Sequence, residues 1–496
     1  MTELDRRSFL KTGAAVAGGA ALAGPFQGYV AAGAWAAPTN PAAHQLVPVP
    51  DQADGVVRLA LPPGFAYRSF DDRGKSATLT VGNIRIPGRH DGMAAFAGPA
   101  AGISTLVRNH EVALPAATTT PPNPAGNTTA FGSAATAYDP KAPGGTTTVE
   151  VDGEGHVIKS YVSLNGTLQN CSGGPTPWGT WLTCEETVNG PDVGPDFTGI
   201  TNAFLTKRHG YVFEVPSDEP NTSPVPIRNA GRFAHESVAW DPHSGALYLS
   251  EDNFGFPSGF YKYVPPTAPA AAGGLADGGT LWMLKVKGVQ NANLARKHPD
   301  KATYDVEWVK IDNPDFGADT APVQRTNNAG LTFVSNQGLA KGAARFSRLE
   351  GTIYDAGLVY FTSTQGGGEP EATNEDSVDG WGNGWGQIWA YDSRTEQLHL
   401  LFESPNRNVL DFPDNVTTSP RGTLVVCEDH DDYNFLRGLT RRGKLITFAQ
   451  NVMVGRTGDE FAGSTFSRTG STLYVNIQSS NGLTFAIWGD WESIGI

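Results

Sequence analysis

The sequence predicts an all-β protein, a six-bladed β-propeller with loop insertions, and two observations carry that expectation. The first is composition: 496 residues with Gly 60, Pro 35 and 17% charged side chains favour many short strands and tight turns over long helices. The second is a repeat. Six segments run from a glycine through alternating apolar residues to a polar or acidic tip, at 102–111, 179–186, 245–252, 357–364, 422–429 and 470–476. In the last five, the polar residue falls six positions after the glycine, at Glu185, Glu251, Ser363, Glu428 and Asn476. Aromatic-rich second strands follow most of them, at 210–215, 259–264, 386–391 and 485–488. Paired strands recurring at roughly 50 to 110 residues, with insertions on one side, fit propeller blades better than a sandwich. In that architecture the strand tips converge on one mouth of a central channel and line it with Glu and Asp.

The chain opens on Arg6-Arg7-Ser8-Phe9-Leu10-Lys11, a twin-arginine pattern, followed by a weakly apolar run from Thr12 to about Pro25 and by Ala34-Trp35-Ala36 as a cleavage site. Residues 1–36 are therefore read as a cleaved export signal and 37–496 as a single propeller domain. The early apolar run is brief and rich in glycine, which disfavours an anchor, and no later run is long enough to span a bilayer. The expected location is the periplasm or the extracellular space, reached through the twin-arginine machinery, with no membrane association after signal removal. Polar insertions at 114–127, 191–201, 265–274 and 366–386 read as loops over the surface or the site.

The formal net charge is −14. Arg6, Arg7 and Lys11 against Glu3 and Asp5 give the leader +1, so the remainder stands at −15 on the same counting. Such a protein repels nucleic acid and anionic lipid, and its surplus carboxylates need water or bound cations. Calcium is the natural cation outside the cytoplasm. An anionic substrate would need local positive charge to enter.

There are three cysteines, Cys171, Cys184 and Cys427, so at least one is unpaired. Cys184 and Cys427 stand in matching contexts, Cys-Glu-Glu and Cys-Glu-Asp. They are either a disulfide or, the preferred reading, two buried thiols at equivalent places in two repeats. Cys171 stands apart, on the glycine-rich stretch Asn170-Cys171-Ser172-Gly173-Gly174 that leads through Trp178-Gly179-Thr180-Trp181 to Glu185-Glu186.

Three further stretches sit where the chain enters a blade at its innermost strand: Arg232-Phe-Ala-His235-Glu236, Arg348-Leu-Glu350-Gly351 and Asp459-Glu460-Phe461-Ala462-Gly463. Taken singly, the Arg348 and Glu350 pair reads equally well as a salt bridge. Taken together, Glu236, Glu350 and Glu460 approach the same axis as the tips, and such a crowd does not stay ionised without metal. Familiar signatures are missing: no H-E-x-x-H, no G-x-S-x-G elbow and no Walker loop. Carboxylates plus one thiolate suit calcium together with a more Lewis-acidic ion such as ferric iron.

The block from Asn170 to Glu186, with the His-Glu, Arg-x-Glu-Gly, Glu-Phe-Ala-Gly and Val-Asn-Ile-Gln elements and the twin-arginine leader, resembles the PhoX-type alkaline phosphatases over nearly the whole mature chain. The resemblance implies a six-bladed propeller that hydrolyses phosphomonoesters with a pair of ferric ions bridged by a cysteine thiolate, nearby calcium ions and a metal-bridging oxo group. Carried over by motif, it makes Cys171 the iron bridge, Glu236 and Glu350 cluster ligands, and Glu186 a calcium ligand. Calcium or cluster roles follow for Glu251, Asp252, Asp414, Asp429 and Glu460. Arg348 would bind phosphate, with Asn109 as a second candidate. Leu349 departs from the proline expected in many relatives. The protein is expected to act as a monomer. Two other classes stay open: a calcium-dependent lactonase or esterase, to which Asp414-Asn415 has a likeness, and a non-catalytic secreted binding propeller.

Overall fold

The computed structural model describes residues 45–114, 128–196, 199–267, 273–275, 278–317, 319, 323–368 and 381–496, together with the backbone of 42–43. The twin-arginine segment and the cleavage site lie outside the described residues, as do parts of all four predicted loops.

The chain is all-β and propeller-like, built from antiparallel meanders. Strands His90–Ala97, Ile103–His110, Gly144–Asp152 and Val157–Thr167 form the first meander, and Asn170–Pro175, Thr180–Glu185 and Val212–Pro216 the next. His235–Asp241 opens a third, which continues through Ala246–Glu251, Phe260–Val264 and Thr280–Val286. Strand Thr303–Lys310 then joins it, edge to edge, to the meander of Leu349–Asp355, Leu358–Ser363, Gln387–Asp392 and Gln397–Glu403, giving one nine-stranded sheet. Pro413–Thr418 and Glu460–Phe466 open the last two.

The predicted tip strands are the second strands of these meanders, and the aromatic strands are the third. The opening strands pack on one another in chain order, and Glu460–Phe466 packs back on His90–Ala97, so the ring closes around an axis. These inner strands are buried on both faces, as along His235–Asp241 and Ala246–Glu251, whereas the outlying Thr303–Lys310 keeps exposed and half-exposed positions. The sequence obeys that gradient: small and apolar residues inside, alternation with charge outside.

Crowding at the axis explains the glycines after Cys171. A Cβ on Gly173 would lie 1.9 Å from the Leu182 carbonyl oxygen, and one on Gly174 would lie 1.8 Å from that of Val238. No side chain fits between those backbones.

The N-terminal residues close the structure. Ala66–Phe70 pairs with Leu483–Trp488 near the C-terminus, while Val57–Leu61 and Val47–Pro50 extend the sheet of Pro413–Thr418. Apolar clusters fill the spaces between sheets, for example Tyr248, Phe260, Phe346, Phe361 and Trp389. Short helices at Asn327–Leu331, Phe333–Ala340 and Trp491–Ile494 accompany the β structure. No helix among the described residues is long and apolar enough to cross a membrane. All three cysteines are buried and unpaired, which leaves Cys184 and Cys427 as the predicted pair of buried thiols.

Candidate metal centre

One backbone device recurs around the axis. In every opening strand the register slips near its start, so that two residues oppose one on the second strand: Asp91-Gly92 opposite Asn109, Cys171-Ser172 opposite Cys184, Glu236-Ser237 opposite Ser250, Glu350-Gly351 opposite Thr362, Asp414-Asn415 opposite Cys427, and Gly463-Ser464 opposite Val475. A β-bulge bends its strand and re-aims the side chain that it carries. Here the bulges present Asp91, Cys171, Glu236, Glu350 and Asp414 at one end of the axis.

The second strands add the next layer. Each predicted tip residue pairs with the residue just before a bulge, as His110 does with His90, Glu185 with Asn170, Glu251 with His235 and Glu428 with Pro413. Those tips turn away from the axis. Glu185 accepts hydrogen bonds from Leu168 N at 2.9 Å and Gly210 N at 2.8 Å, and Glu428 accepts from Arg437 Nε at 2.8 Å. Glu251 was expected among the metal ligands, and it does not join them. Its Oε2 accepts from Gly259 N at 2.8 Å and from the Tyr261 hydroxyl at 2.7 Å, because strand alternation sends it into its own sheet. The following residue faces the mouth in each case: Glu111, Glu186, Asp252 and Asp429.

Among the described residues three groups of ligand atoms result, each with its atoms within 4.8 Å of one another: Glu111, Cys171 and Glu186; Glu236, Glu350 and Asp414; and Asp414, Asp429 and Glu460. The Cys171 Sγ lies 2.8 Å from Glu186 Oε2. Glu111 belongs to these groups, whereas Asp91 stands beside them, repelled by Asp414 and Glu111, with its carboxylate accepting from Gly92 N at 2.7 Å and Gln478 Nε2 at 2.6 Å; neither residue is singled out from sequence. The Asn109-His110-Glu111 tip, read against Glu185-Glu186, held the signal for Glu111, and His90-Asp91 resembles His235-Glu236.

Electrostatics mark the site as unstable without cations. Burial, then repulsion from neighbouring carboxylates, pushes Asp91, Glu186, Glu236, Glu350 and Glu460 well above the usual carboxyl range. The same causes bring Asp414 up to about 7. Burial and Glu186 also push the Cys171 thiol up. A multivalent cation reverses each of these shifts, since it stabilises the ionised donors directly. Among the described residues the donor set is carboxylate oxygens with one sulfur and no imidazole, which fits multivalent cations. His110 and His235 are held neutral by burial, with values lowered to about 3, and both bond to backbone carbonyls.

Two arginines reach into this group. Arg348 Nη2 lies 3.0 Å from Asp252 Oδ2 and 3.1 Å from Glu350 Oε1, and its guanidinium sits 5.5 Å from the centre of the Phe254 ring. Burial opposes its charge, yet Asp252 and Glu350 together raise it well above the ordinary arginine value. Arg89 Nη2 lies 2.8 Å from Glu111 Oε2.

Asn109, expected near the phosphate, stands behind Cys171. Its Nδ2 donates to the carbonyls of Cys171 at 2.9 Å and Ser172 at 2.8 Å, and its Oδ1 accepts from Trp181 Nε1 and Thr183 Oγ1. Every polar atom of that amide is spent on fixing the cysteine bulge, so Asn109 is a positioning residue.

A family model described as alkaline phosphatase PhoX matches residues 44–481, and one for the twin-arginine translocation pathway signal sequence matches residues 3–23. Among solved structures, PhoX of Pseudomonas fluorescens in complex with vanadate, a transition state analogue, superposes with a TM-score of 0.64 at 18% identity, over 92% of this chain and 99% of that one. That likeness supports the fold. A gluconolactonase from Xanthomonas campestris (TM-score 0.37, 11% identity, 90% and 98% covered) and virginiamycin B lyase from Staphylococcus aureus (0.35, 9%, 86% and 99%) are more distant. No protein of curated function matches in sequence. The chain carries a twin-arginine export signal and belongs to the alkaline phosphatase PhoX family.

Proposed function

We propose that residues 37–496 form a single six-bladed propeller that acts, after removal of residues 1–36, as a monomeric exported phosphomonoesterase using a ferric pair and calcium. The observation that carries this reading is the acidic crowd at the axis: nine carboxylates and one thiol, drawn from all six meanders, face two arginines.

Cys171, Glu236 and Glu350, with Asp414, would hold the iron, and Glu111, Glu186, Asp429, Glu460 and Asp91 the calcium. When bound, these ions supply a nucleophile from water and counter-charge for the phosphoryl oxygens. The protein itself does the positioning. The bulges fix the donors before the ions arrive, so little rearrangement is needed during turnover. Asn109 locks the backbone that carries Cys171. Asp252 and Glu350 orient the Arg348 guanidinium, whose planar fork then meets the phosphoryl oxygens and stabilises the charge that grows on them in the transition state. Asn415 is less suited to a lactonase-like ligand role, because its Oδ1 accepts from Gly463 N at 2.6 Å and its Nδ2 donates to Asp414.

The test is elemental analysis of natively exported protein together with turnover of p-nitrophenyl phosphate, with and without a calcium chelator. Iron and calcium are expected in the purified protein, with turnover lost on chelation. Absence of iron, or lactone hydrolysis with calcium alone and no phosphatase activity, would refute the proposal.

A further inference from the structure

Arg89 occupies the same place in its repeat as Arg348. Arg348 lies two residues before the bulged Glu350, and Arg89 lies two residues before the bulged Asp91. The same count falls on Gln169 before Cys171 and on Phe412 before Asp414. All four adopt left-handed backbone, with φ of 46° at Arg89, 48° at Gln169, 39° at Arg348 and 45° at Phe412. Non-glycine residues are uncommon there, so its return at one register position marks a kink that the fold imposes. The kink sets the chain at the mouth just before the bulge turns its donor inward.

What stands at that position therefore decides what the mouth presents, and arginine stands there twice. Arg89 donates from Nε to the Glu111 carbonyl at 3.0 Å and from Nη2 to the Glu111 carboxylate, which uses one edge of its guanidinium. Its Nη1 has no hydrogen-bond partner among the described residues. The side chain is 42% exposed, against 17% for Arg348, so Arg89 reaches the solvent from which a substrate arrives. Attraction to Glu111, and then to Glu460, Asp91 and Cys171, keeps it charged. In a protein of net charge −14, a second fixed cation beside the cluster answers the need that an anionic substrate creates.

We propose that Arg89 is a second substrate-binding residue: it takes the phosphoryl oxygens from the side of Glu111 and Cys171, while Arg348 takes them from the side of Asp252 and Glu350. This assignment rests on the phosphomonoesterase reading. The competing role for Arg89 is purely to orient Glu111 as a metal ligand, and the experiment separates the two.

Arg89→Ala and Arg89→Lys are compared with the native holoenzyme by p-nitrophenyl phosphate kinetics, by calorimetric titration with inorganic phosphate, and by metal content. Loss of one charge-assisted contact predicts that KM and the phosphate Kd rise about tenfold in Arg89→Ala with metal content unchanged and kcat altered less. Arg89→Lys should recover part of the loss, since it restores charge without the fork. Unchanged KM and Kd would overturn the proposal, as would a rise that follows metal loss and disappears when metal is added back. If the native enzyme turned over no phosphomonoester, the functional reading would fall, while the phosphate titration would still decide whether Arg89 binds the anion.

Discussion

Removing the metal ions should make the stability of the fold fall as pH rises, and Asp414 sets the size of the effect. In the metal-free protein burial, then the Asp429 carboxylate, moves Asp414 from 3.8 to about 7. A carboxyl group with a folded value above its unfolded one binds more protons in the native state. Its contribution therefore worsens from about pH 3.8 upward, and the penalty is complete above about pH 7. At about 1.4 kcal/mol per pH unit that interval amounts to about 4 kcal/mol from one side chain, against roughly 5–15 kcal/mol for a whole domain. Asp91, Glu186, Glu236, Glu350 and Glu460 are displaced in the same direction. The assay is thermal unfolding by circular dichroism, at about pH 5.5 and about pH 8.5, of chelator-stripped and metal-loaded protein and of Asp414→Asn. Stripped wild type should melt higher at the lower pH, metal-loaded protein should lack that slope, and stripped Asp414→Asn should exceed stripped wild type at the higher pH. Equal melting of stripped wild type at both pH values, or a stripped Asp414→Asn that melts below wild type at about pH 8.5, would refute the reasoning.

Cys171→Ala should lose iron and turnover together, because no other thiol faces the cluster; retention of both in elemental analysis and kinetics would remove the bridging role. Arg348→Ala should lower kcat by about 10²- to 10³-fold, the usual loss for one preorganised transition-state donor, with iron and calcium unchanged; loss of metal instead would make it a structural partner of Glu350. His209, hydrogen-bonded to Glu185 at 2.6 Å, is raised from 6.5 to about 9 by Glu185 and Asp139 although burial opposes it. Its stabilisation is full below about pH 6.5 and disappears as pH rises through about 9, so His209→Gln should cost about 3 kcal/mol at pH 6 in urea unfolding. That part of the deficit should vanish above about pH 9.5, and a deficit independent of pH would count against the ion pair.

Much of the site was legible because repetition exposed it. The six-residue interval from glycine to tip is a strand of fixed length that begins at a turn, and it put Glu185, Glu251 and Glu428 in equivalent places. What it left open was which of two adjacent acids faces the axis. Glu251 and Asp252 differ by one strand position, and one position reverses the face. The bulge that settles the matter has no sequence mark of its own, since it opens with Asp, Cys, Glu and Gly in turn. The first meander is the least legible. Its tip lies eight residues after Gly102, out of step with the other units, which hides Glu111, and Arg89 and Asp91 flank the first residue of a strand, His90–Ala97, that no motif marks.

The sequence by itself determined the β architecture, the export signal, and the singular cysteine with most of its acidic company, because strand period, turn residues and repeated motifs are local properties of the chain. Tertiary structure alone decided which donors meet and which arginines face them. Convergence at a common axis joins residues hundreds of positions apart, and its geometry comes from bulges and left-handed kinks that exist only once neighbouring strands have paired.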